Sequence, residues 1–416
     1  GIGGGGGGGG VNDSGDTPAA GGNSLAGGGG GGGGPSDGVN APGGSDLGNL
    51  GGGSGGDGSN TIGECGGGGG GGSGLGGAIF IDENLIFNIQ ALSGIPTFFN
   101  TINTTVIAGT GGSGGTGGTP GESGWSAGNS IFLRSDSKLK LIADGIDDLL
   151  TLGDEVSFAD DTDKGGSGIT VEVRGNGKVI YNGSSTYSGF FSIYNANFQL
   201  HGLLDIPQVR VCRNFSASLQ RGTLSGSGTI TGLVYVMSGA ISPDAGATLT
   251  LGSLELHSAD ITSNTIGSLI HIEITPTTNS SVMVNGPAQL AGILEIDVDP
   301  DTAPGTYTLI ESTGITGTFD SVHFTRAAPN YTISYLPVNA PARVEITFSG
   351  YPNPLEPPVN FQGSQKKNNF GLEYELYNQL TWTVSPSPEI SGYFVYRNGK
   401  KIATVNALTT SYQDHH

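Results

Sequence analysis

The chain has 416 residues and carries 36 acidic against 16 basic side chains, for a net charge of −20 and a pI near 4.4. That balance argues against nucleic acid as a partner, which rewards basic stripes, and against docking on an anionic membrane surface. The length allows two or more domains, and no apolar run approaches the ~20 residues of a membrane-spanning helix.

Residues 1–76 are low complexity. Just over half of the 80 glycines fall in the first 80 positions, and Gly3–Gly10, Gly27–Gly34 and Gly66–Gly72 are unbroken runs. Glycine loses the most backbone entropy on ordering and has no side chain to bury, so a flexible segment is one reading. A polyglycine II-type bundle of packed extended helices is the other. The chain opens Gly-Ile-Gly without Met, and no charged segment followed by an apolar core is visible. It therefore reads as a fragment, with room for a signal before it and an anchor after it.

At Gly76-Gly77-Ala78-Ile79-Phe80-Ile81 the character changes, and a β domain is expected over 77–350. Strand-like runs follow at Ala78–Ile81, Leu85–Ile89, Thr105–Ala108, Ile131–Leu133 and Lys138–Ile142. The glycine tract that begins at Gly109 predicts a loop extruded between windings, spanning 109–128. From Gly165 to Phe348 apolar residues alternate, as in Ile270/Ile272/Ile274 and Leu294/Ile296/Val298. Alternation at period two puts each set on one strand face. Within 175–202 short apolar strands close on Asn182-Gly183 and then on His201-Gly202, the spacing of one winding of a β-solenoid. Such a unit buries its apolar face only against stacked neighbours. An all-β sandwich is the rival arrangement.

Gly111-Gly112-Ser113-Gly114-Gly115 matches the nucleophile-elbow pattern but lacks the strand and helix that pattern needs. The six histidines have no metal-ligand spacing, and no catalytic or cofactor-binding residue is assigned. An acidic cluster runs through Asp144, Asp147, Asp148, Asp154, Glu155, Asp160, Asp161 and Asp163. Asp161-Thr162-Asp163 followed by Gly165-Gly166 loosely resembles an oxygen-rich calcium loop, making Asp161 and Asp163 the calcium candidates. A solvated acidic loop is the alternative. Asp297, Asp299 and Asp301 form a smaller set at a strand end. Cys65 and Cys212 are either two unrelated thiols or a pair.

A Pro-rich linker at 351–358 introduces a new vocabulary over 359–416, with Trp382 and several tyrosines.

Gly175, Gly177, Val179, Tyr181, Gly183, Tyr187, Ser188 and Gly189 resemble the passenger-associated repeat of bacterial autotransporters. The stretch from Gly222 to Gly232 and the Gly239-Ala240-Ile241-Ser242-Pro243 turn are similar to the strand and turn that follow it in that family. Gly305–Ile310 and Gly317-Thr318-Phe319 resemble strands that end such passengers. Gly76-Gly77-Ala78-Ile79 resembles a motif of chlamydial polymorphic outer-membrane proteins, whose companion F-x-x-N motif is missing. The resemblance implies a right-handed parallel β-helix displayed outside a Gram-negative cell, with an outer-membrane translocator barrel expected downstream. Residues 355–416 resemble the first part of a fibronectin type III domain. Leu380-Thr381-Trp382 matches the B strand, and Tyr393–Gly399 matches the C strand with its turn. Ile402 and Tyr412 suit later strands. A complete sandwich of this kind has seven strands in ~100 residues, so the segment reads as truncated, with an exposed edge.

The expected fold is thus all-β: a parallel β-helix between a glycine-rich segment and a partial fibronectin type III sandwich. The expected function is a non-enzymatic passenger at the cell surface, outer membrane or outside the cell. It would act as a β-helical stalk and adhesin for a host-cell or neighbouring-cell surface ligand. Two alternatives stay open: a β-helical polysaccharide lyase or hydrolase, and a purely structural envelope component.

Overall fold

The computed structural model describes residues 30, 32–33, 42–45, 52–59, 66–101, 104–213, 220–260, 266–326, 328–337, 341–349, 356–387 and 390–415. The Gly3–Gly10 run, Cys65 and residues 351–355 of the linker lie outside them. The chain divides into two compact units. The first comprises Gly1–Thr302, Thr306–Arg326 and Ile333–Ile346, and the second comprises Ala303–Gly305, Ala327–Thr332 and Thr347–His416. The glycine-rich segment belongs to the first unit together with the β domain.

The fold is all-β. Among the described residues the one helical element is a 3-10 turn, Thr162–Lys164. Two large parallel sheets dominate the first unit. One stacks Ile86–Gln90, Lys138–Ala143, Thr170–Gly175, Phe190–Tyr194, Gln208–Cys212, Thr229–Met237, Thr248–Leu256, Ser281–Leu290 and Gly305–Gly317. The other is a 9-stranded sheet running from Thr97–Phe99 through Leu149–Leu152, Lys178–Tyr181 and Asn197–Leu200 to Ser321–Phe324. The chain alternates between the two large sheets, except that Ser184–Thr186 and Leu203–Asp205 join the first sheet as extra strands, and strands that pair come from successive passes of the chain. The first three passes also add Ile79–Ile81, Ile131–Leu133 and Phe158–Asp160 to a third parallel sheet.

The alternation read from sequence becomes register here. Ile89, Leu141, Val173, Ile193, Val211, Val236 and Leu256 are paired in series across the first sheet and all are buried. Leu150, Val179, Phe198, Leu224, Ile241, Ile270 and Leu294 form the matching ladder in the second sheet, each 0% exposed. Burying each such side chain contributes about 1.5–3 kcal/mol, so the stacked passes supply the core that no single pass has. Gly175 leaves the first sheet at φ 112, where a Cβ would lie 1.9 Å from the Ala143 carbonyl oxygen, so only glycine fits.

One expected strand is absent. Thr105–Ala108 joins no ladder, and Ile107 is 79% exposed. Its backbone instead runs beside Gly74 as the approach to the glycine tract that follows.

The second unit holds an antiparallel sheet of Val359–Asn369, Tyr374–Thr383 and Ser411–His415, and an antiparallel pair, Gly392–Arg397 with Lys400–Asn406. Trp382 is buried, with its ring 5.9 Å edge-on from Tyr393 and 6.4 Å from Phe361.

Candidate functional site

Three parts of the chain were singled out by sequence or are brought together by the fold: the acidic cluster, the glycine tracts, and the outer face of the first sheet.

The acidic cluster disperses into structural roles. Asp148 accepts backbone N–H groups from Gly94 at 2.9 Å and Gly145 at 2.8 Å, and these donors hold its carboxyl below the usual range. Asp160 accepts the N–H groups of Ser188 at 2.6 Å and Gly189 at 3.1 Å on one oxygen and that of Thr162 at 3.0 Å on the other. Asp144, Asp147, Asp154, Glu155 and Asp163 are exposed. Asp161 is buried; its Oδ2 accepts the Ser135 N–H at 3.2 Å and lies 3.8 Å from Arg134 Nε, while its Oδ1 has no partner. Burial is the largest influence on Asp161 and pushes its carboxyl up. Arg134 also bridges Asp82 at 2.6 Å and Glu83. The two calcium candidates therefore differ: Asp161 faces inward toward Arg134, and Asp163 sits on the surface of the 3-10 turn. Among the described residues no three His, Cys, Asp or Glu side chains converge on a point that could hold a metal ion. Cys212 is a buried free thiol, and burial pushes its pKa up.

The glycine tracts are packed. Gly66–Gly72 is flanked by four other extended segments. Gly66, Gly69 and Gly72 accept hydrogen bonds from Gly115, Gly112 and Gly109; Gly67 and Gly70 donate to Gly33 and Gly30. Gly68 and Gly71 donate to Thr119 and Glu122 and accept from Gly56 and Gly53. Bonds recur at every third residue, the period of an extended polyproline-type helix with about 3 residues per turn. Of the two readings of glycine-rich sequence, the packed bundle matches these bonds. The tract expected as an extruded loop instead folds back: Gly121 and Gly124 donate to Gly112 and Gly109, and 109–115 lies against 66–72. Ordering costs backbone entropy, and the hydrogen bonds between segments together with close backbone approach offset it. A Cβ on Gly67, Gly68, Gly70 or Gly71 would sit within 2.0 Å of a neighbouring carbonyl oxygen.

This packing explains where glycine is interrupted. In the central run, Gly67 and Gly70 on one phase and Gly68 and Gly71 on another admit only glycine, whereas Gly69 on the third phase is exposed and meets nothing closer than 3.7 Å. In the peripheral tract Thr110, Ser113, Thr116, Thr119 and Glu122 recur at every third position, and all are exposed. Ser113 of the nucleophile-elbow match is thus one member of a solvent-facing row. The period was present in the sequence as a repeated polar residue followed by two small ones.

The outer face of the first sheet gathers residues that are far apart in sequence. Lys138, Lys140, Arg174 and Arg210 project from three of four adjacent strands, Lys138–Ala143, Thr170–Gly175, Phe190–Tyr194 and Gln208–Cys212, whose single carboxylate on this face is Glu172. Glu172 is 5% exposed and paired with Lys138 at 2.7 Å and Arg174 at 2.6 Å. Burial alone would raise its pKa, but the Arg174 and Lys138 hydrogen bonds and charges bring it below the usual glutamate value. Arg174 lies 5.0 Å over the Tyr194 ring and Arg210 lies 5.5 Å over Phe190, which is 50% exposed. Among the described residues no carboxylate lies within ion-pair distance of Lys140 or Arg210. Sequence reading missed this face because its members are set side by side only by register.

In the second unit, Phe361, Phe370, Phe394 and Tyr396 are more than half exposed, and Lys401 Nζ stands 4.2 Å over the Phe394 ring. No protein-family model matches the chain, and no curated protein matches it.

Proposed function

We propose that the chain is a non-enzymatic passenger of a Gram-negative bacterium, surface-exposed or secreted, in which a right-handed parallel β-helix serves as stalk and adhesin. The observation that carries this reading is the pair of buried ladders, Ile89 to Leu256 and Leu150 to Leu294, filled by strands that the chain visits alternately. Return to the same two sheets on successive passes, with the paired strands parallel, supports a coiled path. Nine strands spaced at about 4.8 Å give roughly 40 Å of ladder, a rigid spacer rather than a cleft enzyme. The outer residues of that ladder are then the contact surface. The second unit supports a partial fibronectin type III-like sandwich. Its first, second and fifth strands share one sheet and its third and fourth another, as the A, B, E and C strands do in immunoglobulin-like sandwiches.

The test is attachment. Beads coated with the purified chain are expected to be retained on bacterial or epithelial cell layers above albumin-coated beads. Retention equal to albumin on all layers, or release of unsaturated uronates from pectate or alginate by the chain, would overturn the reading.

A further inference from the structure

We propose that the outer face formed by Lys138–Ala143, Thr170–Gly175, Phe190–Tyr194 and Gln208–Cys212 binds a linear acidic polysaccharide whose carboxylates are spaced by uncharged sugar faces. This rests on the adhesin reading and names the ligand class for it.

Charge sets the site apart. The chain carries −20 overall, yet these four strands place four cations against one carboxylate. That carboxylate is spent internally, since Glu172 is buried between Lys138 and Arg174. Lys140 and Arg210 occupy the same register row, Lys140–Glu172–Ser192–Arg210, three strand spacings or about 14 Å apart.

Rings accompany the cations. Stacking on Tyr194 and Phe190 orders the Arg174 and Arg210 side chains, so less entropy is lost when they take a ligand. Arg174 Nε is taken by Glu172 and Arg210 Nε by Gln208, so it is the terminal N–H edge of each guanidinium that grips a carboxylate at two points. The half-exposed Phe190 offers an apolar surface for the C–H face of a sugar ring, which a purely ionic site would lack. A uniform polyanion such as DNA is repelled by the acidic remainder of the surface beyond this narrow face. A chain with intermittent charge and apolar ring faces matches both the rings and the spacing of the cations. Parallel stacking sets these cations along one direction, as a linear polymer requires.

The test uses the full chain, with polygalacturonate as probe and dextran as the neutral control, followed by calorimetry at low salt. Polygalacturonate is expected to bind and dextran not. K140Q/R210Q should weaken polygalacturonate binding by about tenfold or more, because two charge-assisted contacts are lost. Neither side chain holds the fold, and an unchanged near-ultraviolet dichroism spectrum verifies that the variant is intact. K366Q/K367Q removes the same charge from the second unit and should bind like wild type. Equal loss in both variants would reduce the effect to net charge and overturn the proposal. So would unchanged binding in K140Q/R210Q, or binding of poly-L-glutamate as tight as polygalacturonate, which would assign the face to an acidic peptide. Cell attachment without polygalacturonate binding would remove this inference and leave the adhesin reading standing. Polygalacturonate binding without cell attachment would do the reverse.

Discussion

Gly71 lies so close to Gly109 that a Cβ added to it would stand 1.8 Å from the Gly109 carbonyl oxygen. At Gly69, two residues earlier in the same run, the nearest neighbour of such a Cβ is the Gly30 carbonyl oxygen at 3.7 Å, an ordinary contact. The two positions therefore separate lattice packing from glycine's general flexibility. G71A is expected to open the bundle, at a cost of at least the 1–3 kcal/mol typical, to order of magnitude, of overpacking. Amide hydrogen exchange should then rise throughout 66–72 and 109–124. G69A should leave exchange near wild type. Equal protection in G71A and wild type would sink the packed-bundle description.

Tyr181 is a fully buried core residue with its hydroxyl in a closed chain of hydrogen bonds. It donates to the Val156 carbonyl at 2.8 Å and pairs with Ser185 Oγ, which in turn accepts the Phe158 N–H at 2.7 Å. The ring is stacked between Phe158 at 5.3 Å and Phe198 at 6.3 Å. Y181F keeps the stack and removes only the hydroxyl, leaving Val156 and Ser185 short of a partner. A loss of about 1–3 kcal/mol in urea unfolding is expected. A variant as stable as wild type would show that the hydroxyl contributes nothing.

Glu172 and Asp161 should respond to acid in opposite directions. For Glu172, burial raises the pKa, but hydrogen bonds and charge from Arg174 and Lys138 outweigh it and leave the folded value lowered. Its stabilisation is present above the unfolded value and lost as pH falls through the folded one. For Asp161, burial dominates and the folded value is raised. Its ionised form is a cost at neutral pH that disappears as pH falls through that raised value. E172Q should therefore be less stable than wild type at about pH 7, with the gap closing toward about pH 3. D161N should be more stable at neutral pH, and its advantage should close over the same descent. Urea titrations at several pH values check both, and gaps independent of pH would refute the assignment.

Trp382 anchors the second unit, where it packs edge-on to Tyr393 and against Phe361. W382A should cost about 3–5 kcal/mol, enough to unfold a small sandwich, whereas W382F should cost less. Loss of near-ultraviolet dichroism from this unit, with protection in the glycine bundle retained, is the expected signature. Equal effects of W382A and W382F would mean that ring packing there is not what holds the unit.

The ladders were legible because one-sided burial of a strand forces period-two alternation, as in Ile270/Ile272/Ile274. The Thr105–Ala108 run carried the same apolar signal but joins no ladder, since propensity does not supply a pairing partner. The glycine bundle was readable only as one of two options. A single run of glycines gains nothing by ordering, and the stabilising bonds exist only between runs such as Gly68 with Thr119 and Gly71 with Glu122. The basic face could not be read at all. Lys140, Glu172 and Arg210 are neighbours because of a strand register that loop lengths conceal.

The glycine bundle passes into the β domain without a break in pairing: Gly71 bonds Glu122, Gly74 bonds Trp125, Gly76 bonds Ala127, and Ile79 then stands opposite Ile131. The segment therefore inherits a reading frame of its own. Adding or removing three residues in 109–124 changes how far the bundle extends while keeping Thr110, Ser113 and Thr116 toward water. A one-residue shift that moves those side chains to the positions of Gly111 and Gly114 puts them where a Cβ would stand 1.9 Å and 2.5 Å from a carbonyl oxygen. Length variation in this region should therefore come in triplets, a spacing rule imposed by the protein backbone and not by the genetic code.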